Sequence, residues 1–211
     1  MKKRNAENGV MLVVSGPAGV GKGTVCDEVA RVRRDIFLSV SATSRPPRKG
    51  EVEGAHYYFK SQARFEEMIQ NGELLEYNRY VNGSYYGTPA APVAARLASG
   101  GSVILEIDVA GGGQVKQRLP ETVMVFVVPP SFRELEKRLR GRATESEEDI
   151  AARLKRSREE FELAATYDYL IINDAVEHAA AKLISIIDAE KCRRSRCLGS
   201  IREQILNNME E

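Results

Sequence analysis

Residues 13–24 read "VVSGPAGVGKGT", in which Gly16, Pro17, Ala18, Gly19, Val20, Gly21 and Lys22 fit the spacing Gly-x-x-x-x-Gly-Lys of a phosphate-cradling loop. Glycines at 16, 19 and 21 let backbone N–H groups turn inward toward a phosphate. A helix opening directly after the loop adds the positive end of its dipole. Lys22 supplies a mobile cation for the β- and γ-phosphates of a nucleoside triphosphate. Gly23 stands where the motif places Ser or Thr, whose hydroxyl sits on Mg²⁺, and Thr24 follows one position later. The metal can be held through water and the nucleotide's own oxygens, in keeping with the reluctance of Mg²⁺ to lose its water shell. The loop names a phosphoryl donor and leaves the acceptor open.

Three further clusters carry chemistry. "SVSATSRPPRKGEVEGAHYYF" sets Arg45 and Arg48 three apart across two prolines, with Tyr57 nearby. Two guanidinium forks on a stiff turn suit a phosphate monoester; a solvated basic turn would carry the same residues. "SVILEID" ends an apolar run on Glu106 and Asp108. Strand-end acids serve a metal-bound nucleotide, cap a helix or charge a sheet edge. "EKRLRGRATESEEDIAARLKR" packs arginines around a glycine, then opens a helix with Ile150, Leu154 and Phe161 on its core face. Taken alone, that helix is a salt-bridged surface element.

The elements that must position these residues alternate. Residues 10–15 form a short β-branched run, the pattern of a strand buried on both faces. A helix is expected over 22–34, with Val25, Val29 and Val32 on one side. Further strands are expected in "SVILEID", "TVMVFVV" and "YLIIND", and helices near 89–98, 131–140, 147–166 and 175–190. "SFRE" and "TESE" carry capping-box spacing, Ser131 to Glu134 and Thr144 to Glu147. Strand and helix in alternation predict an α/β fold with a parallel sheet covered on both faces. Residues 41–88, with turns, tyrosines and one short helix near 61–71, predict a mixed lobe inserted into that sheet domain. In the tail, Ile201, Ile205 and Met209 at helical spacing suggest a terminal helix or a partly ordered end.

Bulk properties exclude several classes. Lys and Arg number 31 against 30 Asp and Glu, so no overall charge draws the chain to nucleic acid or a membrane surface. The three cysteines, Cys26, Cys192 and Cys197, do not make a disulfide framework, and with only His56 and His178 they spell no zinc site. The apolar run at 10–14 is shorter than the roughly 7–15 residues of a secretory core, and no stretch approaches the about 18 apolar residues of a membrane helix. The expectation is a cytoplasmic protein of one domain. Nothing in the sequence speaks to oligomeric state.

The chain resembles the guanylate kinase family, the ATP:GMP phosphotransferases, within the P-loop nucleoside monophosphate kinases. "SGPAGVGKGT", the arginine turn, "NGELLEY", "YYGTP", "LEIDVAGGGQVK", "PPSFRELEKRLRGRATESEEDIAARL" and "IIND" fall in that family's order over roughly residues 10–190. The resemblance implies a P-loop NTPase fold with core segments 10–40, 89–130 and 167–190. It adds a GMP-binding lobe at 41–88, a helical lid at about 131–166 and a tail at 191–211. It implies that Arg45, Arg48, Tyr57 and Tyr86 hold the GMP phosphate and that Glu76 accepts from guanine N1–H and the 2-amino group. Ser41 and Thr88 offer hydroxyls to base or phosphate, and Glu106 and Asp108 face the crevice, Asp108 as a water-mediated Mg²⁺ anchor. Arg142 and Arg153 close on the transferring group, making Lys22, Arg45, Arg142 and Arg153 the catalytic set. Asn173 lies near the adenine edge, and Asp174 caps the following helix. The partners implied are ATP with Mg²⁺, and GMP or dGMP, with no nucleic acid and no membrane. The rival is a non-catalytic guanylate-kinase-like module that binds proteins; such modules degrade the glycine loop, which is whole here. Two departures are Ala110 before Gly111, where the family often has Gln, and Ala143 after Arg142, where it often has Gly.

Overall fold

The computed structural model of the chain describes residues 9–80, 83–141 and 146–207. Its strands are β1 (Met11–Ser15), β2 (Ile36–Leu38), β3 (Ala42–Thr43), β4 (Tyr58–Phe59), β5 (Leu74–Arg79), β6 (Tyr85–Pro89), β7 (Ser102–Glu106), β8 (Val123–Val128) and β9 (Tyr169–Ile172). Its helices are α1 (Lys22–Val32), α2 (Gln62–Gln70), α3 (Ala90–Ala98), α4 (Val109–Arg118), α5 (Phe132–Arg140), α6 (Glu147–Glu162), α7 (Val176–Lys191) and α8 (Arg194–Asn207). A parallel sheet in the order β2-β7-β1-β8-β9 is flanked by helices, and a second, mixed sheet runs β4-β3-β6-β5.

Every residue of β1 and β8 is buried, which explains their unbroken apolar sequence. Leu12 and Val14 pack with Val25, Cys26 and Val29 of α1 and with Leu183 and Ile187 of α7. Met11 and Val13 point the other way, to Val93 of α3 and Val115 of α4. The helix after β1 therefore covers one face, while the helix after the adjacent β7 covers the other. Neighbouring parallel strands whose connections leave in opposite directions open a crevice at their carboxyl ends. The glycine loop and the pair Glu106 and Asp108 stand at that crevice.

The second sheet is fastened to the first along α4. Gln114 acts as a short strand would toward β5: its Oε1 accepts from Tyr77 N (3.2 Å) and its Nε2 donates to Tyr77 O (3.0 Å). Arg118 donates to the carbonyls of Leu74 and Leu75, and Asn78 Nδ2 donates to Asp108 at the head of the helix (3.0 Å).

Several sequence expectations need correction. Helix α4 was not expected, because Gly111, Gly112 and Gly113 are three of its first five residues and glycine is a weak helix former. The three-residue β2 was too short to stand out. Val32 is 51% exposed at the end of α1 rather than in its core face, and Phe161 is 41% exposed. The capping box before α6 is built by Ser146 and Asp149, two residues beyond the expected pair, of which Thr144 lies outside the described residues. The expected helix at 147–166 is α-helical to Glu162 and continues as a 3₁₀ turn, Leu163–Thr166. Asp174 accepts from the adjacent Ala175 N, and α7 has no side-chain cap bond. The tail is helical, with Ile201 and Ile205 exposed; Met209 lies outside the described residues. Among the described residues no helix is long and apolar enough to cross a membrane, and the three cysteines are free thiols.

Candidate active site

The loop after β1 carries Gly16, Gly19 and Gly21 at φ 145°, 85° and 91°, a conformation that L side chains rarely adopt. Lys22 opens α1 and curls back over its own loop, where Nζ donates to Gly16 O (2.6 Å) and Pro17 O (3.1 Å). Burial lowers its pKa, and the Glu106 carboxylate opposes that shift. The loop is braced from beneath. Asn173, only 3% exposed, donates from Nδ2 to Val20 O (2.8 Å), and Arg138 donates to the same carbonyl (3.2 Å). Gly23 faces Glu106: a Cβ at Gly23 would lie 3.4 Å from Glu106 Oε2. Burial raises the Glu106 pKa, and Lys22 pulls it back. Thr24 is exposed and does not line the crevice.

The loop opens into a cleft of about 480 Å³, within the range of small-molecule sites. One wall comes from the second sheet. Along β5 and just past it, Glu76, Asn78 and Tyr80 line the cleft at intervals of two, because alternate strand residues share a face. Across the sheet Glu76 pairs with Thr88 and Asn78 with Tyr86. Thr88, fully buried, donates from Oγ1 to Glu76 Oε1 (2.7 Å). Burial is the main cause that lifts the Glu76 pKa to about 7, helped by the Asp108 charge and opposed by the Thr88 hydroxyl. Asp108 caps α4 by accepting from Gly111 N (2.8 Å), and it also accepts from Tyr80 Oη (3.0 Å).

The arginine turn closes one end of that wall. Arg45 donates from Nε to Tyr86 Oη (3.0 Å), from Nη1 to Pro46 O (2.7 Å), and from Nη1 and Nη2 to the two oxygens of Glu51 (2.8 Å each). The Arg45 guanidinium sits 5.4 Å from the centre of the Tyr57 ring, and Ser41, Tyr57 and Tyr86 face the cleft. Glu51 also accepts from Arg48 N (2.6 Å), and its pairing with Arg45 lowers its own pKa to about 2. The opposite wall is α6, which contributes Arg153, Arg156, Ser157 and Glu160.

A sequence model described as guanylate kinase matches residues 8–190. The chain belongs to the guanylate kinase family. It is 50% identical over 192 residues to the guanylate kinase of Halalkalibacterium halodurans, covering 91% of this chain and 94% of that one. It is 49% identical over 201 residues to the guanylate kinase of Streptococcus thermophilus, covering 95% and 96%. The crystal structure of guanylate kinase from Anaplasma phagocytophilum superposes with a TM-score of 0.73 at 32% identity, over 90% of both chains.

Of the positions that the family motifs picked out, the cleft gathers Gly16, Ala18, Lys22, Ser41, Tyr57, Glu76, Tyr86, Glu106, Asp108 and Arg153. Thr88 stands behind Glu76, its hydroxyl bonded to that carboxylate. Arg45 is at the rim with four N–H bonds already made, so it does not present a free fork. Arg48 is exposed and meets the site through its backbone N–H. Asn173 is buried under the loop rather than at an open edge, its amide spent on Val20. Asp108 is engaged as a helix cap, and the acid that faces the loop at Gly23 is Glu106. Arg142 lies outside the described residues. The motif reading missed Glu51, Asn78, Tyr80, Gln114 and Arg138. Asn78 and Tyr80 were within reach, two and four residues beyond Glu76 on one strand face; the others depend on long-range packing.

Proposed function

We propose that the chain transfers the γ-phosphoryl group of ATP to GMP, and to dGMP, giving ADP and the nucleoside diphosphate. The observation that carries this reading is the buried Glu76–Thr88 pair opening onto the same cleft as the Lys22 loop. A carboxylate there accepts from guanine N1–H and the 2-amino group. Adenine has no such pair of donors, and a buried acceptor left unpaired is what rejects it. Residues 10–40, 89–130 and 167–190 form the nucleotide core, 41–88 the acceptor lobe and about 131–166 the lid, with the tail at 191–211 outside the chemistry.

Phosphoryl transfer asks a protein chiefly for position and charge neutralisation. The loop amides and Lys22 hold the donor phosphates. Tyr57, Tyr86, Arg48 and the remaining N–H of Arg45 hold the acceptor phosphate, and Glu51 fixes Arg45 in place for it. Arg153 on α6 approaches the transferring group from the lid side, and the family resemblance gives Arg142 the same task. Closure of α6 over the cleft excludes water, which would otherwise take the phosphoryl group.

Among the described residues no three His, Cys, Asp or Glu side chains converge as a metal cage. Glu106 faces Gly23, where the usual loop hydroxyl is missing. That donor set fits Mg²⁺ delivered on the triphosphate and held through water and one carboxylate. When bound, the ion neutralises charge on the β- and γ-phosphates. The free thiols suit a reducing compartment, and we place the chain in the cytoplasm.

The deciding experiment measures ADP release from Mg-ATP with GMP, dGMP, AMP, UMP and CMP offered separately. Turnover confined to GMP and dGMP is expected. Folded protein that binds GMP and turns over no acceptor would instead be a binding module.

A further inference from the structure

The three glycines that open α4 are not equivalent. A Cβ on Gly113 would meet nothing within 4 Å. A Cβ on Gly112 would press on Tyr167 Oη, Met124 Cε and Ser15 Oγ at 3.1–3.2 Å, so that glycine serves packing against the sheet. A Cβ on Gly111 would lie 2.6 Å from Glu76 Oε2 and 3.2 Å from its Cδ. Real Cβ atoms do not come so close to an oxygen. The far side of the carboxylate is fixed, because Oε1 accepts from the buried Thr88 hydroxyl at 2.7 Å and Glu76 is itself 4% exposed. The carboxylate is thus held between a hydroxyl on β6 and the bare Cα of Gly111.

We propose that Gly111 is a positioning residue for acceptor specificity: its missing side chain is the seat in which the Glu76 carboxylate is held toward the guanine base. Gly111 lies in the helix without positive φ, so backbone conformation does not call for glycine there. On propensity alone alanine would strengthen α4. Steric room for Glu76 is what glycine supplies. The inference rests on Glu76 as the base-reading group.

The test compares Gly111→Ala and Gly113→Ala in the full chain, each also on a Glu76→Asp background, where the carboxylate is withdrawn by one methylene. The readouts are KM for GMP, KM for ATP, kcat and thermal midpoint. Gly111→Ala is expected to raise KM for GMP about tenfold, the loss of roughly one well-placed charged hydrogen bond, with KM for ATP unchanged and the thermal midpoint not lowered. Gly113→Ala is expected to change none of these. On the Glu76→Asp background, adding Gly111→Ala is expected to cost less than about twofold, since contacting sites couple.

Equal behaviour of the two alanine variants, or the same loss on both backgrounds, would overturn the inference. If Gly111→Ala fails to fold while the double variant folds, the clash is with the longer carboxylate, as proposed. If both fail to fold, Gly111 packs for another reason and the proposal is wrong. Glu76→Gln separates the two levels. If it leaves guanine preference intact, the base-reading assignment falls, and this inference with it. If it removes the preference while Gly111→Ala is silent, only the role of Gly111 falls.

Discussion

Replacing Glu76 with Gln should stabilise the free protein at alkaline pH while damaging its choice of base. The carboxyl titrates at 4.5 in an exposed reference and at about 7 in the fold, chiefly because burial disfavours its charge. A folded pKa above the unfolded one means that the native state holds the proton more tightly. The contribution to stability is full below about pH 4.5 and lost as pH rises through about 7. With about 1.36 kcal/mol for each tenfold in acidity, ionising Glu76 in place costs the fold about 2–3 kcal/mol more at pH 8 than at pH 5. Glutamine keeps an oxygen for the Thr88 hydroxyl and carries no charge at either pH. For a chain of this size each kcal/mol moves the midpoint by roughly 2–4 °C. The gain of Glu76→Gln over the parent should therefore be about 5–10 °C larger at pH 8 than at pH 5, measured by calorimetry without nucleotide. GMP turnover by the same variant should lose guanine preference with little change in ATP binding. A gain that is equal at the two pH values, or larger at pH 5, would refute the claim that a buried, ionised Glu76 is held against its own cost.

Lys22→Ala should lower kcat by at least about 10³-fold in protein that still folds, read by ADP release. Glu51→Ala removes the carboxylate that orients Arg45 and should raise KM for GMP about 5–10-fold with KM for ATP unchanged; an unchanged KM for GMP would count against Arg45 as a phosphate contact. Asn173→Ala takes the amide from beneath Val20 and should weaken ATP binding about tenfold by titration calorimetry while sparing GMP.

What the sequence disclosed, and what it hid, follows one division. The central strands were legible because β1 and β8 are buried on both sides and consist almost entirely of apolar residues. The loop was legible because its glycines and Lys22 sit in a fixed local order. Helix α4 was hidden because its first turn answers to distant groups: Gly111 to Glu76 on β5, and Gly112 to Met124, Ser15 and Tyr167. Propensity counts those glycines against a helix, and tertiary contact overrides it. In "TESE" both Thr144 and Ser146 are followed three residues later by an acid, so local spacing could not choose the cap. The residues that line the cleft were legible by type and not in their pairings. Nothing near Arg45 in sequence says that Glu51 takes its fork. Asn173 read as a ligand contact, and only the path of β9 beneath the loop makes it a support.

The seam between α4 and β5 sets the mechanics of the cleft. Asp108, Gly111, Gln114 and Arg118 recur every three or four residues along one side of the helix, and each meets the strand that carries Glu76. A rigid departure of the second sheet, sideways or about the helix axis, would break these directional contacts together, because α4 is itself held in the core through Val115. Helix α4 therefore fastens the second sheet to the first along this edge of the cleft. Glu76 is thereby held in register with the helix whose cap, Asp108, stands at the same crevice as the glycine loop.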